Sequence, residues 1–363
     1  MTKQKVMVAM SGGVDSSLAA ALLVEQGYEV IGVTMQIWSS EREDEDHGGC
    51  CSLSAVDDAR RVADTLGIPY YVLNFRELFS QKVIDYFCAE YQQGRTPNPC
   101  IACNRFVKFA ALLNKARAMG ADFIATGHYS RIELDRHTGR YLLLKAKDAA
   151  KDQSYALYTF TQEQLAHTML PLGEYTKVRI REMARERGLT VANKPDSQEI
   201  CFVPDDDYGA FLQERLEGEI KPGPFLTTNG KQVGIHRGLP YYTIGQRKGL
   251  GIALGEPMYV IALDVQRNAV ILGDNQQVYG ESLQAGDINL ILFEELKGSL
   301  EVEAKIRYSA KAAPAEIAPG EQGKIIVRFK QPQRAITPGQ AVVFYQGDIV
   351  VGGGTIEHQL IGC

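Results

Sequence analysis

The chain has 363 residues, 45% hydrophobic and 23% charged, and carries a net charge of −5 at pH 7. Its length predicts two or three domains, and its acidic balance excludes a protein that coats itself with nucleic acid through bulk charge. No apolar run reaches the roughly 18–20 residues of a bilayer span, and Met1–Lys5 holds no signal-peptide core, which predicts a cytoplasmic protein with no membrane partner.

Lys5–Met10 reads as an apolar strand and residues 15–26 as a helix, with Ser11-Gly12-Gly13-Val14 between them. A strand, a glycine turn and a helix start bring backbone N–H groups and the positive helix end to one point, where a phosphate can sit. The Gly-Lys-Ser/Thr ending of a Walker A loop is missing. An ordinary strand–helix turn needs only the two glycines; Asp15, Ser11, Ser16 and Ser17 go beyond that need. Further strands are predicted at 29–37, 69–75 and 123–129, and helices at 53–67, 76–92 and 105–119. This alternation predicts an α/β fold with a parallel sheet and ligands at the carboxyl ends of its strands. Gly12-Gly13, Met35 and Gly127-His128 fall at those ends. The acidic run Glu41–His47 reads as a solvated loop rather than a metal site. Cys50 and Cys51, at a predicted helix start, point in different directions and read as structural.

Seven cysteines, at 50, 51, 88, 100, 103, 201 and 363, are few and odd in number. In a reducing compartment they read as buried, catalytic or metal-binding. Thr96-Pro97-Asn98-Pro99-Cys100-Ile101-Ala102-Cys103-Asn104 precedes the helix expected from Arg105. A thiol beside a helix N-terminus has a lowered pKa, so Cys103 is a candidate nucleophile. Cys100-x-x-Cys103 admits three readings: a redox pair, part of a metal or iron–sulfur site, or one reactive thiol with a passive neighbour. Structural zinc lacks its second cysteine pair here, while a three-cysteine cluster using Cys201 stays open. Cys201 lies in the loop-like Asp196–Phe202. If it meets Cys103, one thiol can hold a persulfide and the other resolve it; otherwise it is a buried cysteine beside Phe202.

Tyr175–Gly188 reads as a basic amphipathic helix. From about residue 206 the alternation stops. A small segment, 206–276, leads into a strand-rich tail, with strand-like runs at 258–263, 268–272, 301–307, 324–329 and 341–351. Short strands punctuated by glycine and proline predict a small antiparallel barrel. Basic residues without acids recur at Lys221, Lys231, Arg237, Arg247 and Lys248, at Lys305, Arg307 and Lys311, and at Lys324, Arg328, Lys330 and Arg334. Such stretches suit phosphate contacts, although on charge alone a solvated basic face is the better reading.

Ser11-Gly12-Gly13-Val14-Asp15-Ser16 resembles the signature of the PP-loop ATP pyrophosphatases. Taken with Thr96–Asn104, Gly127-His128-Tyr129, Lys151–Tyr155, Ser197–Phe202, Tyr242–Leu250, Arg307-Tyr308 and Pro338–Ala341, the chain resembles the tRNA-specific 2-thiouridylases of the MnmA/TrmU type. The resemblance implies a PP-loop (adenine nucleotide alpha hydrolase-like) catalytic domain over 1–205, a small central domain over 206–276 and a tRNA-binding β-barrel over 277–363. It implies ATP-dependent 2-thiolation of the wobble uridine, with Mg²⁺ on the phosphates and Asp15 as a candidate ligand. Ala9, Met10, Ser11, Gly12, Gly13, Val14, Asp15 and Ser16 would bind ATP, with Met35 and Gly127 near the adenosine. Cys103 matches the nucleophile and Cys201 the persulfide carrier, with Asp15 completing the catalytic set. Asn98, Pro99 and Cys100 would face the target base. His128, Lys151, Asp152, Gln153, Arg307, Tyr308 and Gln340 match positions that contact tRNA, whose anticodon stem-loop the basic stretches would hold. The implied partners are tRNA and a persulfide donor, either a cysteine desulfurase or a relay protein. Cys100 stands where some members have aspartate, which keeps an iron–sulfur variant open. A PP-loop enzyme that amidates or ligates a small molecule is the competing expectation.

Overall fold

The computed structural model describes residues 3–37, 53–195, 200–203, 207–216, 220–252 and 255–360. The acidic run at 41–47, Cys50, Cys51 and the stretch 196–199 lie outside them. The chain divides into two compact units, one of residues 1–84, 99–206 and 348–350, the other of residues 85–98, 207–347 and 351–363.

The first unit begins with β1 (Lys5–Ala9), α1 (Val14–Glu25), β2 (Glu29–Gln36), α2 (Leu53–Leu66), β3 (Tyr70–Asn74) and α3 (Arg76–Phe79). A π-helical turn, Ser80–Ile84, continues the chain into α4 (Asp85–Gln92), which belongs to the second unit. The chain returns through α5 (Pro99–Ala102), a π-helical stretch Cys103–Ala111 and α6 (Leu112–Ala118). There follow β4 (Phe123–Ala125), the hairpin β5 (Ser130–Leu134) and β6 (Tyr141–Lys145), α7 (Gln162–Ala166), β7 (Thr168–Met169) and α8 (Lys177–Glu186). Five strands form a sheet in the order β3-β2-β1-β4-β7, every pairing parallel. Central strands of such a sheet are covered on both faces, which is why β1 and β2 read as continuous apolar runs. Helix α1 is apolar almost all round, and Val14 through Leu23 are buried except for Asp15. A helix of that kind belongs inside a core. It packs on the sheet and on α8 through Leu18, Leu22, Ile180 and Met183.

In the second unit, α9 (Tyr208–Arg215), β8 (Gly223–Thr227), β9 (Gln232–His236), β10 (Tyr259–Asp264) and β11 (Ala269–Gly273) come first. The strands make a sheet in the order β10-β11-β8-β9 over a core of Phe225, Tyr242, Val260 and Leu272. Then come β12 (Tyr279–Leu290), β13 (Leu300–Lys305), β14 (Ala313–Pro319), β15 (Ile325–Arg334), β16 (Ala341–Gln346) and β17 (Ile349–Gln359). They run β12-β15-β14-β13-β16-β17, and β12 pairs β17 to close the barrel. Closure removes the exposed edges an open sheet would present.

The expected α/β domain and terminal barrel are both present. The run expected at 341–351 is two strands, because Gly347 turns the chain with φ +59°. The strand expected at 123–129 stops at Ala125. Seven strands were not anticipated: β5, β6, β7, β8, β9, β12 and β14. Hairpin β5–β6 is half exposed, so its apolar alternation is weak; its clearest mark is the Asp135–Gly139 turn, where Asp135 accepts from His137 N–H and Thr138 Oγ1. β12 is broken up by Gly280, Gly286 and two register shifts against β17. β8 and β14 each carry a proline (Pro224; Pro314 and Pro319) that masks a strand pattern.

Candidate functional site

Strands β2 and β3 lie on one side of β1 and β4 on the other, so the order of the sheet reverses between β1 and β4. Ligands of open α/β sheets bind in the crevice at such a point. The turn Met10–Gly13 leaves β1 there and enters α1. Its base is fixed from β2: Met10 N–H donates to Val33 O at 2.8 Å, and Thr34 Oγ1 donates to Met10 O at 2.6 Å. Gly12 has φ +68°, and a Cβ on it would lie 2.3 Å from the Ala55 carbonyl oxygen. The fold itself therefore requires glycine at 12. Gly13 is different. Its backbone is extended, and a Cβ there would meet nothing nearer than Ser11 Oγ at 3.6 Å.

Gly13 is also the N-cap of α1 and supplies no side-chain acceptor to the first-turn N–H groups. Ser16 Oγ accepts from Ser11 N–H at 3.1 Å and donates to Gly13 O at 3.3 Å, which folds the turn into a concave cradle. Uncapped amides, the positive helix end and an open position over Gly13 suit an anionic group. Opposite, at the end of β4, a Cβ on Gly127 would strike Ser16 N at 2.7 Å, so glycine lets the second strand end approach the helix start.

Asp15 accepts from Lys177 Nζ at 2.8 Å on each carboxylate oxygen and from the Tyr129 hydroxyl at 2.6 Å. Sequence reasoning missed Lys177. It is the first residue of α8, behind the Thr176 cap, where a cation opposes the helix dipole. A lysine in that position calls for an acidic partner, and that was the available signal. The expectation of Asp15 as a metal ligand meets an occupied carboxylate. Among the described residues no group of three or more His, Cys, Asp or Glu side chains is arranged to hold a metal ion.

The helix carrying the cysteine pair starts at Pro99, not near Arg105, and runs unbroken to Ala118. Proline suits the first helical position because its missing N–H is not needed there. Cys100 thus takes the N-terminal turn, and Cys103 lies a full turn inside, buried, with Cys100 and Cys201 exposed. The dipole argument for Cys103 therefore does not hold as stated. Beside Cys201, Phe202 packs edge-on against Phe79 of α3 at 5.6 Å, and α3 contacts the Cys103–Ala111 stretch. Both thiol segments are consequently attached to one helical layer. Cys88, in the second unit, is buried, and burial raises its pKa above the usual thiol value. Alkylation with iodoacetamide at pH 8, read by peptide mass mapping, should modify Cys100 and Cys201 at least tenfold faster than Cys88 and Cys103.

His128 is half-buried, and desolvation, followed by the nearby Lys108, holds its pKa well below the usual histidine value. The ring is neutral at pH 7. Thr126 Oγ1 accepts from His128 N–H at 3.4 Å and lies 2.7 Å from Nδ1, which fixes the orientation of the ring. Asp152 caps its own loop, accepting from Ala146 N–H, Ser154 N–H and Ser154 Oγ. Gln153 is bonded both ways to the Tyr129 backbone. Lys151 is half-buried in the same loop. In the second unit, Arg307 and Tyr308 form the turn after β13, with Tyr308 exposed. Gln340 Nε2 donates to Thr96 O at 2.8 Å, and Thr96 N–H donates to Pro338 O. Gly339, with φ +90°, admits this close approach. Gln340 thus anchors the backbone that leads to Asn98.

A family model described as the tRNA methyl transferase HUP domain matches residues 4–205; the tRNA methyl transferase PRC-barrel domain matches 209–274, and the aminomethyltransferase beta-barrel domain 281–356. The tRNA-specific 2-thiouridylase MnmA of Acetivibrio thermocellus is 62% identical over 98% of this chain and 100% of its own length. That of Moorella thermoacetica is 64% identical over 97% of this chain and 99% of its own. Among solved structures, NMN synthetase from Francisella tularensis is similar over 54% of this chain and 66% of its own, at 18% identity and a TM-score of 0.33. Among the described residues no helix is long and apolar enough to cross a membrane. Matched by its family models over most of its length and by close relatives end to end, the chain belongs to the tRNA-specific 2-thiouridylase family.

Proposed function

We propose that this chain uses ATP to activate O2 of the wobble uridine of tRNA and replaces that oxygen with sulfur from a cysteine persulfide. The observation that carries this reading is end-to-end similarity, above 60% identity, to proteins named tRNA-specific 2-thiouridylase. The cradle at Ala9–Ser16 supports a place for the triphosphate, with Met35 and Gly127 beside the nucleoside. Mg²⁺, when bound with the nucleotide, would neutralise charge developing on the departing pyrophosphate. Because Asp15 is held by Lys177 and Tyr129, its part is to orient the helix start and Lys177 around the phosphates.

A urea-like carbonyl is a poor electrophile. O2 attacks the α-phosphorus and pyrophosphate leaves; C2 then carries AMP as a leaving group. The terminal sulfur of a Cys201 persulfide attacks C2, AMP departs, and a disulfide links the base to Cys201. The Cys103 thiolate attacks the Cys201 sulfur, releasing 2-thiouridine and leaving a Cys103–Cys201 disulfide that an external thiol reduces. Since Cys103 is buried, its segment opens when RNA docks, as substrate-gated elements do. Asn98, Pro99 and Cys100 would present this segment to the flipped base, while His128, Lys151, Arg307, Tyr308 and Gln340 line the RNA path. Residues 1–205 would carry the chemistry, 206–276 the connection and 277–363 the RNA-binding barrel. The persulfide comes from a cysteine desulfurase or relay protein.

Incubation of the purified chain with unmodified tRNA, ATP, Mg²⁺ and a persulfide source should yield 2-thiouridine at the wobble position by nucleoside mass analysis. Cys103→Ser and Cys201→Ser should each lower product at least 1000-fold while tRNA-dependent pyrophosphate release in the first turnover persists. Unchanged product from both variants would overturn the persulfide route. AMP release independent of tRNA would favour a small-molecule ligase.

A further inference from the structure

On the helical stretch that carries Cys103, the buried residues Cys103, Asn104, Val107 and Phe109 face the core. Phe106 faces outward, with 36% of its surface exposed. The Arg105 guanidinium lies 5.2 Å and Lys82 Nζ 5.9 Å from its ring centroid. The surrounding sequence is one-sided in charge: from Gln92 to Ala121 there are five basic residues and no acid. Within that stretch Arg95 is paired with Glu90 and Arg117 with Glu163. An exposed ring covered by a lysine occurs again at Tyr308, which is 47% exposed with Lys305 Nζ 5.4 Å from its centroid.

We infer that Phe106, Lys82 and Arg105 form a stacking platform for one unpaired nucleotide of the RNA substrate, next to the base that reacts. An exposed ring offers a π-face to any base, and stacking of this kind is tolerant of sequence. The two long cationic side chains rest against the ring without RNA and swing to the flanking phosphates with it, trading a cation–π contact for charge-assisted hydrogen bonds. A protein partner would also meet the ring, but the acid-free stretch complements a phosphate backbone. The platform lies three residues from Cys103, so nucleotide docking there bears on the segment that must open. The inference rests on the tRNA-modifying function proposed above.

The test measures Kd for an anticodon stem-loop by fluorescence anisotropy, and KM for whole tRNA, in the full chain. Phe106→Ala should raise both by about 10- to 100-fold. Phe106→Tyr should stay within threefold of wild type, and Phe106→Leu, which keeps apolar bulk but no π-face, should behave like alanine. Lys82→Ala should reduce the slope of log Kd against log salt by about 0.7, the contribution of one phosphate contact on a single strand. Melting temperatures within 3 °C of wild type would exclude misfolding. Unchanged affinity in Phe106→Ala, rescue by leucine, or a defect confined to sulfur donation by a protein partner would each overturn the platform alone. A wild-type chain that does not bind tRNA would overturn the function beneath it.

Discussion

Alanine at position 12 is expected to unfold the nucleotide cradle, whereas alanine at position 13 is expected to leave the fold intact and remove ATP binding. At Gly12 the left-handed backbone alone costs an L-residue about 1–2 kcal/mol. The added Cβ, 2.3 Å from the Ala55 carbonyl oxygen, must also push α2 or the turn aside, a further cost of about 1–3 kcal/mol. Gly12→Ala should therefore lose about 2–5 kcal/mol in denaturant unfolding. Gly13 has φ −97° and ψ 164°, which any residue adopts, and its Cβ would clear every protein atom. That methyl would instead stand over the first-turn amides, where a phosphate oxygen must come within hydrogen-bond distance. The variant should melt within 2 °C of wild type and bind ATP at least 50-fold more weakly by calorimetry. If Gly13→Ala binds ATP as wild type does, the anion does not sit over the helix start.

The paired glycines also mark the limit of what the sequence discloses. Their strand–turn–helix context was legible, as were the strand ends at Met35 and Gly127, because apolar runs and glycine turns are local signals. Which glycine serves the fold and which the ligand depends on Ala55, more than forty residues away, and no local pattern carries that. The same holds for Cys103. Two prolines suggested a stiff approach to a later helix, but Pro99 is itself the first helical residue, and the helix dipole then acts on Cys100. Gln340 was assigned to RNA by resemblance; its bonds to Thr96 and Pro97 depend on pairings some 240 residues apart. Strands with strong apolar alternation are found, while β5, β6, β8, β9, β12 and β14 are hidden by half-exposure, glycines or prolines and β7 by its length of two residues. Periodicity reports burial, and these strands are held by neighbours rather than by their own pattern.

Lys177→Met should reveal how that kind of long-range pairing serves chemistry. Lys177 is only 12% exposed and grips both oxygens of Asp15, itself 30% exposed. Removing one partner of a fully buried pair costs about 3–5 kcal/mol. Water reaches Asp15 here and Tyr129 still donates to it, so about 1–3 kcal/mol is expected. The effect on nucleotide binding should be larger. Asp15 lies in the first turn of α1, beside the amides proposed to receive the phosphates, and without Lys177 its charge would repel them. Two unit charges about 5 Å apart interact by about 3 kcal/mol at an effective dielectric of 20, which corresponds to more than 100-fold in ATP affinity. The double variant Lys177→Met/Asp15→Asn separates the two consequences. It removes both charges, so it should regain most of the melting temperature and part of the ATP affinity, while thiolation stays low because the phosphates lack their cation. Full ATP affinity in Lys177→Met would mean that the lysine only braces α8 against α1 and that Asp15 does not face the nucleotide.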